Sequence, residues 1–194
     1  MLMIIVSIYT LYVLVSLYTS IMQIGYINLA KRKKAILLDA DKFLTAGNYA
    51  VAKEKLSLVS TFVDYIVFVA WMGMGISLLQ DNIFLQNDAL QNVSVVMSFI
   101  IIGSLISLPF TYYEKFVLDA EFGFNKSSLG LWLKDTLISF ALTLVLGSLV
   151  VWGIYFIMMH FDLWWLWSFA FIFAVIVMIN MLYPAFRAMF FDKL

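Results

Sequence analysis

Residues 1–30 carry no charged side chain, and neither do residues 89–113, 136–159 or 163–186. About 20 apolar residues in a helix suffice to cross the hydrocarbon core of a bilayer. Each of the four runs reaches that length. A fifth, Leu56–Gln80, has one internal charge, Asp64. Soluble domains are roughly half apolar and a quarter charged. This chain of 194 residues is 64% hydrophobic and 12% charged. A soluble core of that size could not hide so many apolar side chains. The solvent for most of the chain is therefore lipid. The predicted fold is all-α, a single membrane domain over 1–194 with spans near 1–26, 57–80, 90–113, 134–159 and 163–186.

The first run is not expected to be a secretory leader. It lacks a positively charged start, is too long, and offers only Tyr26-Ile27-Asn28 where small residues would be needed. Lys31-Arg32-Lys33-Lys34 ends it. Thr45-Ala46-Gly47-Asn48 reads as a turn, with an amphipathic helix restarting near Asn48–Tyr49. Asp81–Asp88 is a polar loop, Pro109 is expected to kink the third span, and His160-Phe161-Asp162 is a tight turn. Trp164, Trp165 and Trp167 suit an interfacial aromatic belt. Gly73, Gly75, Gly103, Ser107 and Gly147 are the expected close-packing positions.

Five spans sort the charges. The Lys and Arg residues are 31–34, 42, 53, 55, 115, 126, 134, 187 and 193, and all fall on one side. The other side has only Asp81, Asp88, His160 and Asp162. Cytoplasmic loops carry the Lys/Arg excess. The expected topology puts the N-terminus outside and the C-terminus in the cytoplasm.

Polar residues within the spans form two stripes. Ser16, Thr19, Ser20 and Gln23 share one helix face, and Ser57, Ser60, Thr61 and Asp64 repeat the spacing. Two readings stand: hydrogen bonding between helices, or the lining of a hydrated chamber. Other chemistry is sparse. No cysteine is present, so thiol nucleophiles, disulfides and Cys-bound metals are excluded. The single His160 cannot supply the three protein ligands of a catalytic zinc. Gly123 and Gly130 fit neither a Walker nor a Rossmann spacing. Net charge is zero without a basic aromatic tract, which argues against nucleic acid.

The stretch AEFGFNKSSLGLWLKD, residues 120–135, sets Glu121, Lys126, Lys134 and Asp135 among aromatics and glycines. Lys115 and Asp119 are spaced to pair along a helix. Glu121 leads into a turn at Phe122-Gly123-Phe124, and Asn125 or Ser127 can cap the next helix. The expected product is a structured hairpin with charges available for pairing.

These residues carry a resemblance. FGFNK followed by LGLWLKD resembles the signature of membrane-embedded zinc metalloproteases of the CAAX prenyl protease type, where it links the third and fourth membrane helices. NYAVAKEKLSLVS at 48–60 resembles that family's second helix, with Tyr49, Ala52 and Lys53 at matching positions. LWWLWSFAF and MLYPAF resemble its fifth helix, and FFDKL at 190–194 its exit, with Asp192 and Leu194 replacing Asn and Phe. The resemblance covers most of residues 48–194.

The family's proteases bind zinc through HExxH on a sixth helix, a motif this chain does not contain. The resemblance therefore implies the N-terminal five-helix membrane domain without its catalytic half, inactive alone. Zinc is expected in that other half. Glu121, Phe122, Gly123, Phe124, Asn125, Lys126, Lys134 and Asp135 are expected to form the hairpin and a docking rim for it. The implied role is part of an intramembrane chamber that admits peptide or membrane-protein substrates. The alternative is a stand-alone membrane scaffold or regulator. A channel is disfavoured, since no inverted repeat is visible. The bilayer is the remaining partner: a bacterial inner membrane, or the endoplasmic reticulum of a eukaryote.

Overall fold

The computed structural model describes residues 2–33 and 39–190, with side chains through Leu182. Lys34, the motif around Pro184 and the segment 191–194 fall outside the described side chains. Among the described residues five long apolar helices are present and no strand. They are α1 (Leu2–Ala30), α2 (Ala40–Asn82), α3 (Asp88–Glu121), α4 (Leu129–His160) and α5 (Trp164–Phe190). Helix is the natural answer to lipid, which offers no partner for a free backbone N–H or C=O. Three helices contain a π turn: Trp71–Gly75 in α2, Glu114–Leu118 in α3 and Thr143–Gly147 in α4.

Contacts divide the chain into two units. The first holds residues 1–78 and 103–126, the second 79–102 and 127–194. In the first unit α1 and α2 form an antiparallel hairpin. The Lys31 ammonium donates to Asn48 Oδ1 at one end, at 2.9 Å. Further along, Tyr9 packs on Phe68 with ring centroids 4.1 Å apart, and the Thr10 and Tyr65 hydroxyls lie 3.0 Å apart. The loop predicted over Thr45–Asn48 is absent. Helix α2 runs unbroken from Ala40, and the Lys31 stem lies against Gly47, where a Cβ would meet it at 2.6 Å. Gly47 thus serves a close approach between helices. Sequence reads the same glycine as a breaker because it cannot show what lies opposite.

Helix α3 starts where the polar loop ends, with Asn87 Oδ1 accepting from the Leu90 amide at 3.1 Å. It continues through Pro109, and its irregular turn comes later, at Glu114–Leu118. In the second unit Phe171 of α5 lies over Gly153 of α4, and Met97 lies against Gly147. The turn at 161–163 lets Phe161 meet Trp167, 5.4 Å between centroids. His160 stays exposed and binds its own helix, Nδ1 to the Phe156 carbonyl at 2.9 Å. Trp164, Trp165 and Trp167 are all exposed, as an interfacial belt requires.

Side chains buried within the units are few: Val13, Val51, Val93, Met97, Leu118 and Ser168. Large apolar residues elsewhere, such as Leu11, Val145 and Phe169, stand exposed. That distribution is right for helices whose outer faces meet acyl chains.

The small-residue packing differs from the expected set. A Cβ on Gly103 or Gly73 meets nothing within 4 Å, and Gly75 is covered by Trp71 of its own helix. Of the predicted glycines, Gly147 packs against another helix, and Gly153, not predicted, does so more tightly: a Cβ there would meet Phe171 Cζ at 2.7 Å. Overpacking a tight contact costs about 1–3 kcal/mol. Gly153→Leu is therefore expected to lower the melting temperature in detergent, while Gly103→Leu leaves it within a degree or so. Equal losses would show that Gly103 is as confined as Gly153.

Candidate functional site

At the charged end of the first unit, α2 and α3 run antiparallel and are tied by two polar contacts. The Tyr49 hydroxyl donates to Asp119 Oδ1 at 2.8 Å. One turn along α2, Lys53 Nζ meets Glu114 Oε1 at 2.7 Å. Lys53 also lies 5.9 Å from the centroid of the Tyr49 ring. Both α2 residues precede the apolar stretch that opens at Leu56. The hydrogen bond it donates to Glu114 holds the Lys53 ammonium above the usual lysine range, against the opposing effect of burial. The hydrogen bond to Asp119 likewise raises Tyr49, and burial adds to it. The ion pair is half in solvent, with side chains 51% and 36% exposed. Its contribution is therefore no more than about 1 kcal/mol.

The hairpin after α3 is built onto Tyr49. Gly123 has φ +75°, a left-handed geometry that disfavours any Cβ. It turns the chain so that the amides of Phe124 and Asn125 both reach the Asp119 carbonyl, at 2.7 and 3.1 Å. The turn delivers both Phe122 and Phe124 to the Tyr49 ring, with centroids 5.4 and 4.8 Å away. Asp119 is thus used twice, side chain to Tyr49 and carbonyl to the turn. The predicted Lys115–Asp119 pair does not form. The π turn at Glu114–Leu118 advances the chain by an extra residue and takes the two off the shared helical face. The cap of α4 is Ser128 rather than Asn125 or Ser127, its Oγ accepting from the Leu131 amide at 3.2 Å. Residues 124–128 run without regular structure, and the helix begins at Leu129, one residue after the later of the two expected caps would start it and ahead of the span expected from 134.

Between α2 and α3 lies a polar groove of about 330 Å³. Ser57, Ser60 and Asp64 line it from α2, and Ser107, Thr111 and Glu114 from α3. Lys53 stands at one end. The Ser60 hydroxyl is returned to the Ser57 carbonyl and the Ser107 hydroxyl to Gly103, at 3.0 and 3.1 Å. Thr61 is not part of the lining. The α1 stripe does not join it: Thr19 bonds back to the Ser16 carbonyl at 2.8 Å, and neither these residues nor Ser20 and Gln23 line the groove. The groove is therefore formed by the second stripe and by α3 hydroxyls that the sequence reading passes over.

The expected docking rim falls into both units. Glu121 to Lys126 belong to the first, and Lys134 and Asp135 to the second. Asp135 is half-buried, and its Oδ1 is shielded from solvent with no hydrogen-bond partner. Sequence reasoning misses Glu114 altogether. Its partner Lys53 sits on a different helix, and only the antiparallel packing of α2 and α3 brings the two charges together.

A hydrogen bond to a charged group contributes about 1.5–3 kcal/mol, less where partly exposed. Tyr49→Phe is expected to cost about 1–2 kcal/mol and to speed trypsin cleavage at Lys126 several-fold. Unchanged cleavage would show that the hairpin does not depend on Tyr49.

Residues 25–193 match the family described as CAAX prenyl protease N-terminal, five membrane helices. CAAX prenyl protease 1 of Saccharomyces cerevisiae is 28% identical over 175 residues, which cover 80% of this chain and 38% of the yeast protein. The CAAX prenyl protease 1 homolog of Arabidopsis thaliana is 25% identical over 191 residues, covering 91% and 45%. The crystal structure of S. mikatae Ste24p shares the fold, with a TM-score of 0.72 and 22% identity over 94% of this chain and 48% of that one. The chain thus spans less than half the length of these relatives. With its five apolar helices and the match over 25–193, this multi-pass membrane protein belongs to the CAAX prenyl protease N-terminal family.

Proposed function

We propose that the chain is the membrane part of a CAAX-type zinc metalloendopeptidase, and that the α2–α3 groove is a stretch of the chamber wall along which substrate peptide enters. The family match over 25–193 carries the reading. The groove supports it: the hydroxyl oxygens of Ser57, Ser60, Ser107 and Thr111 remain acceptors at membrane depth for the N–H groups of an extended peptide, the protons of the last three being bonded to carbonyls of their own helices. The chain binds and orients; it does not cut. Among the described residues no three His, Cys, Asp or Glu stand close enough to hold a metal ion. These residues do not fit a zinc site, and no step through zinc is derived from them. Zinc is expected on a catalytic portion, supplied by a longer polypeptide or a partner. Asp135 Oδ1, shielded and unpartnered, would accept a donor from that portion.

The proposed orientation puts the N-terminus outside and the C-terminus in the cytoplasm, because five spans leave every Lys and Arg on one side. The membrane is a bacterial inner membrane, or the endoplasmic reticulum in a eukaryotic cell. The chain has no cysteine, so single cysteines report sidedness directly. Gln86→Cys is expected to react with an impermeant reagent from outside, and Lys126→Cys only after the inner face is opened. The reverse pattern would overturn the orientation.

An antibody to residues 120–135 tests the main proposal. The reading requires a native product well above 22.3 kDa, or one that co-purifies with a zinc-binding polypeptide, with peptidase activity lost to a chelator. A 22.3 kDa product without zinc or peptidase activity would overturn it in favour of a scaffold.

A further inference from the structure

Leu56 and Phe110 line two grooves, not one. On one side lies the polar groove. On the other lies a larger one of about 530 Å³, whose floor is apolar: Ala52, Val59, Pro109 and Leu118. Its rim carries one cation and one anion, Lys55 and Glu121. Among the described residues neither has an ion-pair or hydrogen-bond partner. Their depth is set by the sequence. Lys55 is the last charge before the apolar stretch of α2 begins at Leu56, and Glu121 is the last residue of α3 before the Gly123 turn. The rim therefore sits at headgroup level with Ala52 and Leu118 beside it, and Val59 and Pro109 carry the apolar floor into the hydrocarbon.

We infer that this groove holds a glycerophospholipid whose headgroup carries both a phosphate and a primary ammonium, the phosphatidylethanolamine type. One acyl chain covers the apolar floor. Lys55 pairs with the phosphate as a compact point charge. Glu121 accepts hydrogen bonds from the ammonium. A trimethylated ammonium has no N–H to donate, so a choline headgroup satisfies only half of the rim. A glycerol headgroup shares the phosphate but leaves Glu121 without a cation to face. Charge complementarity thus selects one headgroup among those with the same tails. The inference rests on the membrane placement of the helices and is independent of the protease reading.

The test uses the full chain in nanodiscs containing equal parts of phosphatidylethanolamine, phosphatidylcholine and phosphatidylglycerol with matched acyl chains. Lipid that survives mild detergent stripping is counted by native mass spectrometry. One basic residue near a lipid phosphate is worth about a fivefold change in binding. An exposed carboxylate–ammonium pair is worth up to about 1 kcal/mol, so retained lipid is expected to be enriched up to about fivefold in phosphatidylethanolamine over phosphatidylcholine. Lys55→Ala should lower its retention about fivefold. Glu121→Gln should abolish the preference for ethanolamine over choline while total lipid retained stays the same. Both side chains are exposed, so neither change threatens folding. The wild-type headgroup comparison stands without any variant. Equal retention of the three lipids, enrichment of phosphatidylglycerol, an ethanolamine preference that survives Glu121→Gln, or a groove that retains no lipid would each overturn the inference.

Discussion

Helices in lipid have little reason to choose one register over another. Acyl chains are as apolar as leucine, so sliding one helix along its neighbour changes little in burial. Hydrogen bonds between named polar atoms break that degeneracy. In the first unit they include Tyr49 to Asp119, Lys53 to Glu114 and Lys31 to Asn48 at the charged end of the helices, with Thr10 to Tyr65 further along α1 and α2. Each is modest in energy, and the Lys53–Glu114 pair is half in solvent. Their value is positional. They set which residues of α2 face which residues of α3, and hence which hydroxyls share the polar groove.

The same ties organise the hairpin. Asp119 holds Tyr49 through its carboxylate and the turn through its carbonyl. The left-handed Gly123 then brings two phenylalanines onto the tyrosine ring. A cluster of charges in an apolar chain thus becomes a joint between helices. Glu121 and Lys126 remain at its exposed surface.

Much of this architecture could be read from the chain before its structure. Uncharged runs long enough to cross a bilayer mark four helices, and a single interrupted run marks the fifth, because length and polarity are the only requirements lipid imposes. The polar loop, 83–87 where 81–88 is expected, the turn after His160 and the turn at Gly123 follow from local chemistry. What resisted reading depends on partners distant in sequence. Gly47 reads as a breaker until Lys31 is seen against it. Gly103 reads as a packing site, yet nothing lies over it. The π turn at Glu114–Leu118 adds a residue to one turn, so a helical wheel drawn through α3 misplaces Lys115 relative to Asp119. Half of the polar groove was legible, as the α2 stripe. The α3 half was not, since Ser107, Thr111 and Glu114 acquire meaning only opposite α2.

Leu56 and Phe110 border a polar groove on one side and an apolar one on the other. The two grooves thus share these side chains as a common wall, and a substitution at Leu56 or Phe110 changes the boundary of both at once. The polar and apolar faces of this helix pair cannot be reshaped independently through either residue.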